Sequence, residues 1–460
     1  MSQLYLLVCL AQQTGSNVMA NEQVDPGDIF TQPLRLPCGV EIPNRFAKAA
    51  MTEGLATQKG VPTDALTRLY GLWSDGGAGL LLSGNIIIDA DHLERPGNVV
   101  IDRAVEPAMQ RALEQWASAA TRSGNQFWAQ ISHAGRQTPK LVNPQPNAPS
   151  AIKVALPGGN FGRPRALHDT EIEAIIERFA ICAGAVKAAG FTGVQLHAAH
   201  GYLLSQFLSP RTNQRTDRWG GSLANRARLL LAAVAAVRAQ VGSNFPLAIK
   251  LNSADFQKGG FSFADSLQVA GWLQDANVDL IEISGGTYEQ PKLLGLAGLE
   301  PEDPQTVAAS TLAREAYFVD FALAMRSSVS IPLMVTGGFR NSAAMREALE
   351  SGGVDMIGIG RPMCVLTDAP AQLIAGLSSL PRYECEMSLL PGPLRWLERI
   401  ALFRTVATFA VQYWYYGQLE SLGRRGLPDP DLSVFSAAKN TLKQEKQFAR
   451  ERNKRANLRR

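Results

Sequence analysis

Apolar runs of strand length alternate with amphipathic stretches along most of this chain. Several of these runs are apolar throughout, as expected of parallel strands that are buried on both faces of a sheet. The eight runs begin at Arg45 (RFAKAAM), Leu80 (LLLSGNIII), Phe127 (FWAQIS), Gly193 (GVQLHAA), Leu247 (LAIKLNS), Leu280 (LIEISGG), Leu333 (LMVTGG) and Met356 (MIGIGR).

Stretches with helical periodicity separate the apolar runs. They cover residues 64–75, 106–121, 169–189, 222–241, 263–275, 311–325, 342–350 and 368–377. Eight strand–helix units in strict order predict the α/β class and a (β/α)8 TIM barrel over residues 28–384. In such a barrel the active site lies at the carboxyl ends of the strands.

The pattern changes beyond residue 390, where apolar residues recur at helical spacing. We therefore predict a helical C-terminal extension over residues 385–438. Its uncharged stretch from Thr405 to Leu419 has 15 residues, fewer than the ~18 that a membrane-spanning helix needs. The extension then docks on the barrel, docks on a second subunit of a homo-oligomer, or lies on a membrane surface.

Composition and charge describe a folded protein with a basic end. The chain has 460 residues, of which 46% are apolar, and this excludes a disordered or collagen-like protein. The net charge is +4, and it is positive because of residues 439–460, whose nine basic and two acidic residues give +7 against −3 for the rest of the chain. A tail of this kind is typical of a solvated or disordered end, with anionic lipid or nucleic acid as the alternative partner. We expect no nucleic-acid partner, and a disordered N-terminal extension over residues 1–27.

Cysteine usage points to a reducing compartment. The five cysteines are odd in number, and no two of them form a C-x-x-C pair of the kind used by zinc or iron–sulfur sites. We therefore expect a cytoplasmic protein without a metal.

Polar side chains are concentrated at the end of the fourth apolar run and directly after it. His197 and His200 stand at its end and could donate two hydrogen bonds to one ligand atom. Tyr202 comes next, and its phenol could protonate a bound substrate. Zinc binding is a weaker alternative, because no carboxylate or cysteine at motif spacing supplies a third ligand. Histidines that only bond the loop backbone are the other alternative.

Glycines follow the last two strands, where barrels of this kind build phosphate sites. Gly337 and Gly338 follow the seventh strand, and Gly360 and Arg361 follow the eighth. Glycines let backbone N–H groups approach phosphate oxygens, and Arg361 can pair with the dianion. Glycines at strand ends also occur for steric reasons, so the combination with the arginine carries this prediction.

Two polar side chains interrupt runs that are otherwise apolar. Lys250 lies in the fifth strand, where an unpaired ammonium would be costly, so we expect it to face the anionic edge of a ligand. A Schiff-base lysine is the alternative. Gln130 in the third strand likewise needs partners. Thr52 and Ser284 end the first and sixth strands with hydroxyl groups at the mouth, unless these only cap the following turns.

No G-x-G-x-x-G sequence follows any of the strands, so the sequence shows no separate dinucleotide-binding domain. These features suit one phosphorylated planar cofactor that lies across the strand ends. They are a phosphate clamp, an internal lysine and glutamine, and a pair of hydrogen-bond donors opposite them.

The segment HAAHGYLLSQFLSP, followed by NQRTDRWGGSLANR, resembles the old yellow enzyme family of FMN-dependent NADH:flavin oxidoreductases and ene-reductases. The resemblance covers about residues 28–380. The shorter motifs that support it are KAAMTEG, AQISHAGR, KLNSADF, EISGG, VTGGF and GIGRP.

The resemblance implies a barrel that holds FMN at its mouth and accepts hydride from NADH or NADPH. Ala50, Met51 and Thr52 would lie along the flavin, with Thr52 bonding the carbonyl next to N5. Gln130 and Lys250 would contact the pyrimidine edge. The residues that would hold the phosphate are Gly337, Gly338, Gly360 and Arg361.

The resemblance also implies a substrate and a mechanism. His197 and His200 would bind the carbonyl oxygen of an enone-like small molecule, and Tyr202 would protonate its α-carbon. One branch of the family has Cys at Thr52 and another has Asn at His200, while Trp219 replaces the more usual Tyr.

A flavin barrel that oxidises its substrate, for example by demethylation, and a non-catalytic flavin-binding protein are the rival functions. Larger relatives carry a cysteine cluster and a second nucleotide-binding domain. This sequence shows neither, so we expect no internal iron–sulfur relay.

Overall fold

The computed structural model describes residues 27–156, 159–287, 289, 318–385, 387 and 401–458. Nearly all of the predicted N-terminal extension 1–27 lies outside these residues. So does the first part of the predicted helix 311–325.

Eight parallel strands close into a barrel, which confirms the predicted fold class. Each strand pairs with the next, and β8 pairs with β1, so that the sheet has no free edge along this circuit. The strands are β1 (Phe46–Lys48), β2 (Leu80–Ile87), β3 (Gln126–Ser132), β4 (Gly193–Ala198), β5 (Leu247–Asn252), β6 (Leu280–Ser284), β7 (Leu333–Thr336) and β8 (Met356–Ile359).

One helix outside the barrel corresponds to each strand. The helices are α1 (Asp64–Asp75), α2 (Pro107–Ala120), α3 (Asp169–Ala188), α4 (Leu223–Val241), α5 (Phe263–Asp275), α6 (Val319–Arg326), α7 (Ser342–Glu350) and α8 (Ala369–Ile374). Helix α4 is an example of a helix whose first and last residues are determined by its capping residues. The Ser222 hydroxyl accepts a hydrogen bond from the backbone N–H of Asn225, and Gly242 ends the helix with a φ of 81° that favours glycine.

A two-stranded antiparallel hairpin closes the amino ends of the strands. Its strands are Leu34–Arg35 and Glu41–Ile42. Leu34, Leu36 and Ile42 reach an apolar layer that fills this end of the barrel. The other buried members of the layer stand early in their strands, and they are Ala47, Leu80, Leu82, Trp128, Ala248, Leu280, Met334 and Met356. The polar residues must therefore gather at the opposite end.

Two long helices, α9 (Ala401–Arg425) and α10 (Val434–Leu458), form the C-terminal extension. Helix α9 packs on α1, with Leu419 and Leu422 buried in the main core. Arg68 of α1 donates hydrogen bonds to the last carbonyls of α9, at Gly423 and Arg424. Of the alternatives for the extension, docking on the barrel is what the structure shows. No helix among the described residues is long and apolar enough to cross a bilayer.

Residues 439–458 continue α10, so the disordered alternative predicted for the basic end is wrong there, while its exposed basic residues agree with the solvated alternative. Phe448 packs against the apolar cluster around Leu93 near β2, while Lys443 and Lys446 are exposed. One side of this basic segment is thus anchored on the barrel, and the charged side faces solvent.

Candidate active site

Buried polar side chains line the barrel above its apolar layer. Gln130 comes from β3, Gln195 and His197 from β4, Lys250 from β5 and Glu282 from β6. In the register of the sheet, Lys250 stands between His197 and Glu282. The structure therefore brings together Gln130, His197 and Lys250, which the sequence had placed on three separate strands.

These side chains form a continuous chain of hydrogen bonds. Gln130 Nε2 donates to Gln195 Oε1 at 2.6 Å, and Gln195 Nε2 donates to Glu282 Oε2 at 2.8 Å. Lys250 Nζ donates to the other oxygen, Glu282 Oε1, at 2.7 Å. These bonds offset the cost of burying amide and charged groups.

Lys250 therefore does not need a ligand for its counter-charge, contrary to the sequence-based expectation. The carboxylate of Glu282 supplies it. The sequence analysis missed Glu282, although a glutamate within LIEIS is as anomalous as a lysine within LAIKLNS. The hydrogen bond to Glu282 also engages the Nζ atom that Schiff-base chemistry at Lys250 would need.

His197 and His200 lie together at the end of β4, with ring centroids 5.0 Å apart and ring planes at 74°. His197 Nδ1 accepts the backbone N–H of Ala199 at 3.2 Å, so its ring proton sits on Nε2. His200 Nε2 shares a hydrogen bond of 2.6 Å with Ser284 Oγ. Among the described residues, neither His197 Nε2 nor His200 Nδ1 has a hydrogen-bond partner, so both are available to a ligand.

The backbone at His200 adopts a conformation that is uncommon for any residue except glycine, with a φ of 60°. Its N–H donates to Asn252 Oδ1 at 3.1 Å, and its carbonyl accepts from Gln137 Nε2 at 3.0 Å. It also forms a β-bridge with Thr287. Strained backbone that the surroundings enforce in this way is concentrated at functional sites.

Both imidazoles are neutral near pH 7. Burial lowers the pKa of His197 well below its ordinary value of 6.5, and the electrostatic effects of the neighbouring His200 and Lys250 lower it further. Burial and then the charge of Lys250 do the same to the pKa of His200. A neutral imidazole donates one N–H and adds no charge to the site.

Tyr202 lies directly against this pair. Its ring meets the ring of His197 edge-on, with centroids 4.7 Å apart and planes at 88°. It is the residue before the short helix Leu203–Leu208, and it is 5% exposed. The three predicted catalytic side chains thus share one place at the mouth.

Ala50, Met51 and Thr52 follow β1 and are partly exposed at the mouth. Thr52 Oγ1 donates to Glu94 Oε2 at 2.8 Å. The sequence predicted that this hydroxyl would bond a flavin carbonyl. Here its proton is committed to Glu94, which the sequence analysis did not single out, and its lone pairs are what it offers to a ligand.

The predicted phosphate residues also come together, after β7 and β8. Gly337 and Gly338 have φ values of 121° and 82°, which favour glycine. A Cβ added at Gly360 would meet no atom within 4 Å, so the backbone there borders open space. Arg361 Nη1 lies 3.3 Å from Glu384 Oε1. Arg340, which the sequence analysis missed, is a second cation in this region.

The residues at the mouth fit the phosphorylated cofactor that the sequence predicts. Several buried polar atoms have no hydrogen-bond partner among the described residues: Asn85 Oδ1, Ser132 Oγ, Ser253 Oγ, Thr336 Oγ1 and Arg340 Nε. Buried polar groups normally have partners. Thr336 and Arg340 stand at and after the end of β7, so a polar ligand beside the glycines and arginines would supply partners for these two atoms.

One group of described residues has the composition of a metal site, namely Asp89, His92 and His133. His92 Nε2 accepts the backbone N–H of Asn147, and His133 Nδ1 accepts that of Gly135. The nitrogens that face Asp89 must therefore carry the ring protons, and a protonated nitrogen cannot bind a metal. Asp89 is also ion-paired with Arg178 at 2.8 Å. These contacts favour a structural hydrogen-bonded cluster.

The barrel and the polar groups at its mouth are those of a class of proteins, the TIM-barrel enzymes that bind a cofactor or substrate at the carboxyl ends of the strands. Residues 28–378 match the family model of the NADH:flavin oxidoreductase / NADH oxidase family. The chain belongs to this family, that of the old yellow enzymes, whose members use a flavin and a nicotinamide reductant.

Fungal proteins are among its relatives. The NADH-dependent flavin oxidoreductase iccE of Talaromyces variabilis is 32% identical over 413 residues, which are 86% of this chain and 99% of the relative. The NADH-dependent flavin oxidoreductase iliE of a Neonectria species is 36% identical over 355 residues, 74% of this chain and only 46% of the relative, so the chain spans about half of that protein.

A solved structure of the family has the same barrel. The old yellow enzyme homologue from Zymomonas mobilis aligns with a TM-score of 0.64 at 26% identity, over 77% of this chain and 95% of that one.

Proposed function

We propose that this protein binds FMN at the barrel mouth and reduces activated C=C bonds of α,β-unsaturated carbonyl compounds with hydride from NADH or NADPH. Membership of the family supports a flavin and a nicotinamide donor. A cradle of glycines and an arginine after β7 and β8 suits a flavin with one phosphate, which favours FMN.

The observation that carries the choice of substrate is the pair of neutral imidazoles at the end of β4. His197 Nε2–H and the ring of His200 can both meet one carbonyl oxygen. They would stabilise the negative charge that develops on this oxygen when hydride adds to the β-carbon. Donors that the fold has already placed need no reorganisation during the reaction, which makes this contribution large.

Tyr202 would supply the proton. Its ring is adjacent to His197, and proton transfer from its hydroxyl group to the α-carbon would complete the reduction of the C=C bond. When bound, the flavin would supply the hydride-transfer chemistry. Gln130 and Lys250 would hold its pyrimidine edge. The nicotinamide and the alkene would use the same open face in turn, which gives ping-pong kinetics.

Anaerobic stopped-flow mixing tests this proposal. NADH or NADPH should bleach the yellow absorbance, and 2-cyclohexenone should restore it. Tyr202→Phe should slow the second step by about 10² and leave the first unchanged. Equal loss in both steps would exclude Tyr202 as the proton donor. The ene-reductase proposal is wrong if neither nucleotide bleaches the flavin, or if the enone does not reoxidise the reduced flavin. A flavin enzyme that oxidises its substrate is then the favoured function.

A further inference from the structure

Glu384 joins the C-terminal extension to the predicted phosphate site. It lies in the short 3-10 turn Tyr383–Cys385, beyond the end of the family match at residue 378. Its Oε1 accepts from Arg340 Nη2 at 3.1 Å and lies 3.3 Å from Arg361 Nη1. Its Oε2 accepts from the Tyr415 hydroxyl of α9 at 2.7 Å. One carboxylate therefore links α9 with two cations that follow β7 and β8.

The charges in this group do not balance. Arg340 and Arg361 share a single carboxylate, so one positive charge is left over within the group. Arg340 is 7% exposed, and its Nε has no partner among the described residues. A guanidinium that is buried and incompletely paired is suited to a further anion, and phosphate matches the geometry of its N–H groups.

Tyr415 fixes the carboxylate from the other side. It is 5% exposed within the main core. Burial, and then the hydrogen bond with Glu384, raise the pKa of this phenol, so it keeps its proton and acts as a donor. One oxygen of Glu384 is thus held by α9, and the other contacts both arginines, so the carboxylate orients the buried guanidinium of Arg340 and stands beside the partly exposed guanidinium of Arg361.

We propose that Glu384 and Tyr415 are positioning residues for the flavin phosphate. They hold Arg340 and Arg361 in place, and the C-terminal extension thereby selects the phosphorylated flavin over riboflavin. This inference rests on the proposed function, because it requires a flavin at the mouth. Both residues act through the arginines, so their effect should be confined to the phosphate.

A carboxylate beside a phosphate site could also weaken binding by repulsion between like charges. The two effects have opposite signs. We expect positioning to dominate, because without Glu384 the side chain of Arg340 would have to stay buried with its charge uncompensated or move away. A loss of phosphate affinity in Glu384→Gln therefore supports positioning, and a gain supports repulsion.

The experiment compares two flavins that differ only in the phosphate. The full chain, freed of flavin, is titrated with FMN and with riboflavin, and the quenching of flavin fluorescence gives each Kd. Glu384→Gln and Tyr415→Phe should each raise the Kd for FMN about tenfold, with riboflavin affinity unchanged. In the double variant the Kd for FMN should rise by less than the product of the two single increases, because Glu384 and Tyr415 act through one shared contact. Tyr413→Phe, on the same helix, is the matched control and should change neither Kd.

The outcomes separate the possible failures. An equal loss for FMN and riboflavin would mean that the two residues only support the fold, and this would overturn the inference. Tighter FMN binding by Glu384→Gln would overturn it in favour of repulsion. If the unaltered protein binds neither flavin, the proposed function itself fails.

Discussion

Lys250 and Glu282 form an ion pair that is buried inside the barrel. Glu282→Ala should lower the free energy of unfolding by about 3 to 5 kcal/mol, because it leaves the ammonium of Lys250 and the amide of Gln195 without their acceptor. Urea unfolding followed by far-UV circular dichroism measures this loss.

The matched control for this prediction replaces both charges at once. The double variant Lys250→Met with Glu282→Leu should recover most of the stability, because no unpaired charge is then left in the core. If Glu282→Ala lowers the free energy of unfolding by less than about 0.5 kcal/mol, as a surface substitution does, the ion pair does not stabilise the fold as predicted.

The same pair shows what the sequence could predict and where prediction stopped. A charged residue in an apolar strand is visible from the sequence, as Lys250 was. Its partner becomes visible only when neighbouring strands are known, although consecutive strands of a barrel are neighbours and Glu282 lies on the strand after Lys250. Glu94 and Glu384 gave no comparable signal, because they lie in connections where charged residues are ordinary.

At the scale of elements, the docking of α9 on α1 depends on a glycine. A Cβ at Gly423 would lie 2.9 Å from the carbonyl oxygen of Ala65 and 2.9 Å from Leu55 Cδ1. The first of these atoms is backbone and cannot move aside. Gly423→Ala should therefore destabilise the protein by about 1 to 3 kcal/mol through overpacking, measured by urea unfolding.

Gly271 in α5 is the matched control, because a Cβ there would meet no atom within 4 Å. Gly271→Ala should be neutral or stabilise by up to about 1 kcal/mol, the difference in helix propensity. A similar effect of both substitutions would show that helix propensity, and not the contact with Ala65, governs the behaviour of Gly423.

The helices differ in how well the sequence predicts them. The bounds of α1, α5 and α7 agree with the prediction, since periodicity and flanking residues act locally. Residues 439–458 were predicted as a solvated or disordered end because their composition is basic. They are helical because Phe448 packs on the barrel and α10 packs against α9. Composition alone does not reveal these tertiary contacts.

At the scale of the whole molecule, buried histidines make stability depend on pH. Burial lowers the pKa of His133 to about 4, and burial lowers the pKa values of His197 and His200 well below 6.5. Below pH ~6.5 the unfolded chain binds protons at these positions and the folded chain does not. The free energy of unfolding should therefore fall as the pH drops, by up to about 1.4 kcal/mol per pH unit for each histidine.

Urea unfolding at pH 8, 6.5 and 5.5 tests this dependence. The window lies above the range in which most carboxylates titrate. Asp255 and Glu445 act in the opposite direction, because burial raises the pKa of each carboxyl, but they are two groups against three. A free energy of unfolding that does not change between pH 8 and 5.5 would contradict the assignment of neutral histidines in the folded state.

The hairpin at the amino end of the barrel determines where ligands can enter and leave. Leu34, Leu36 and Ile42 fill the amino end of the barrel, so this end is closed. A molecule that enters at the carboxyl ends of the strands must therefore leave by the same opening. In the proposed ping-pong cycle, the oxidised nicotinamide would therefore have to leave through this opening before the alkene could enter. Product release, and not a chemical step, would then limit the turnover rate.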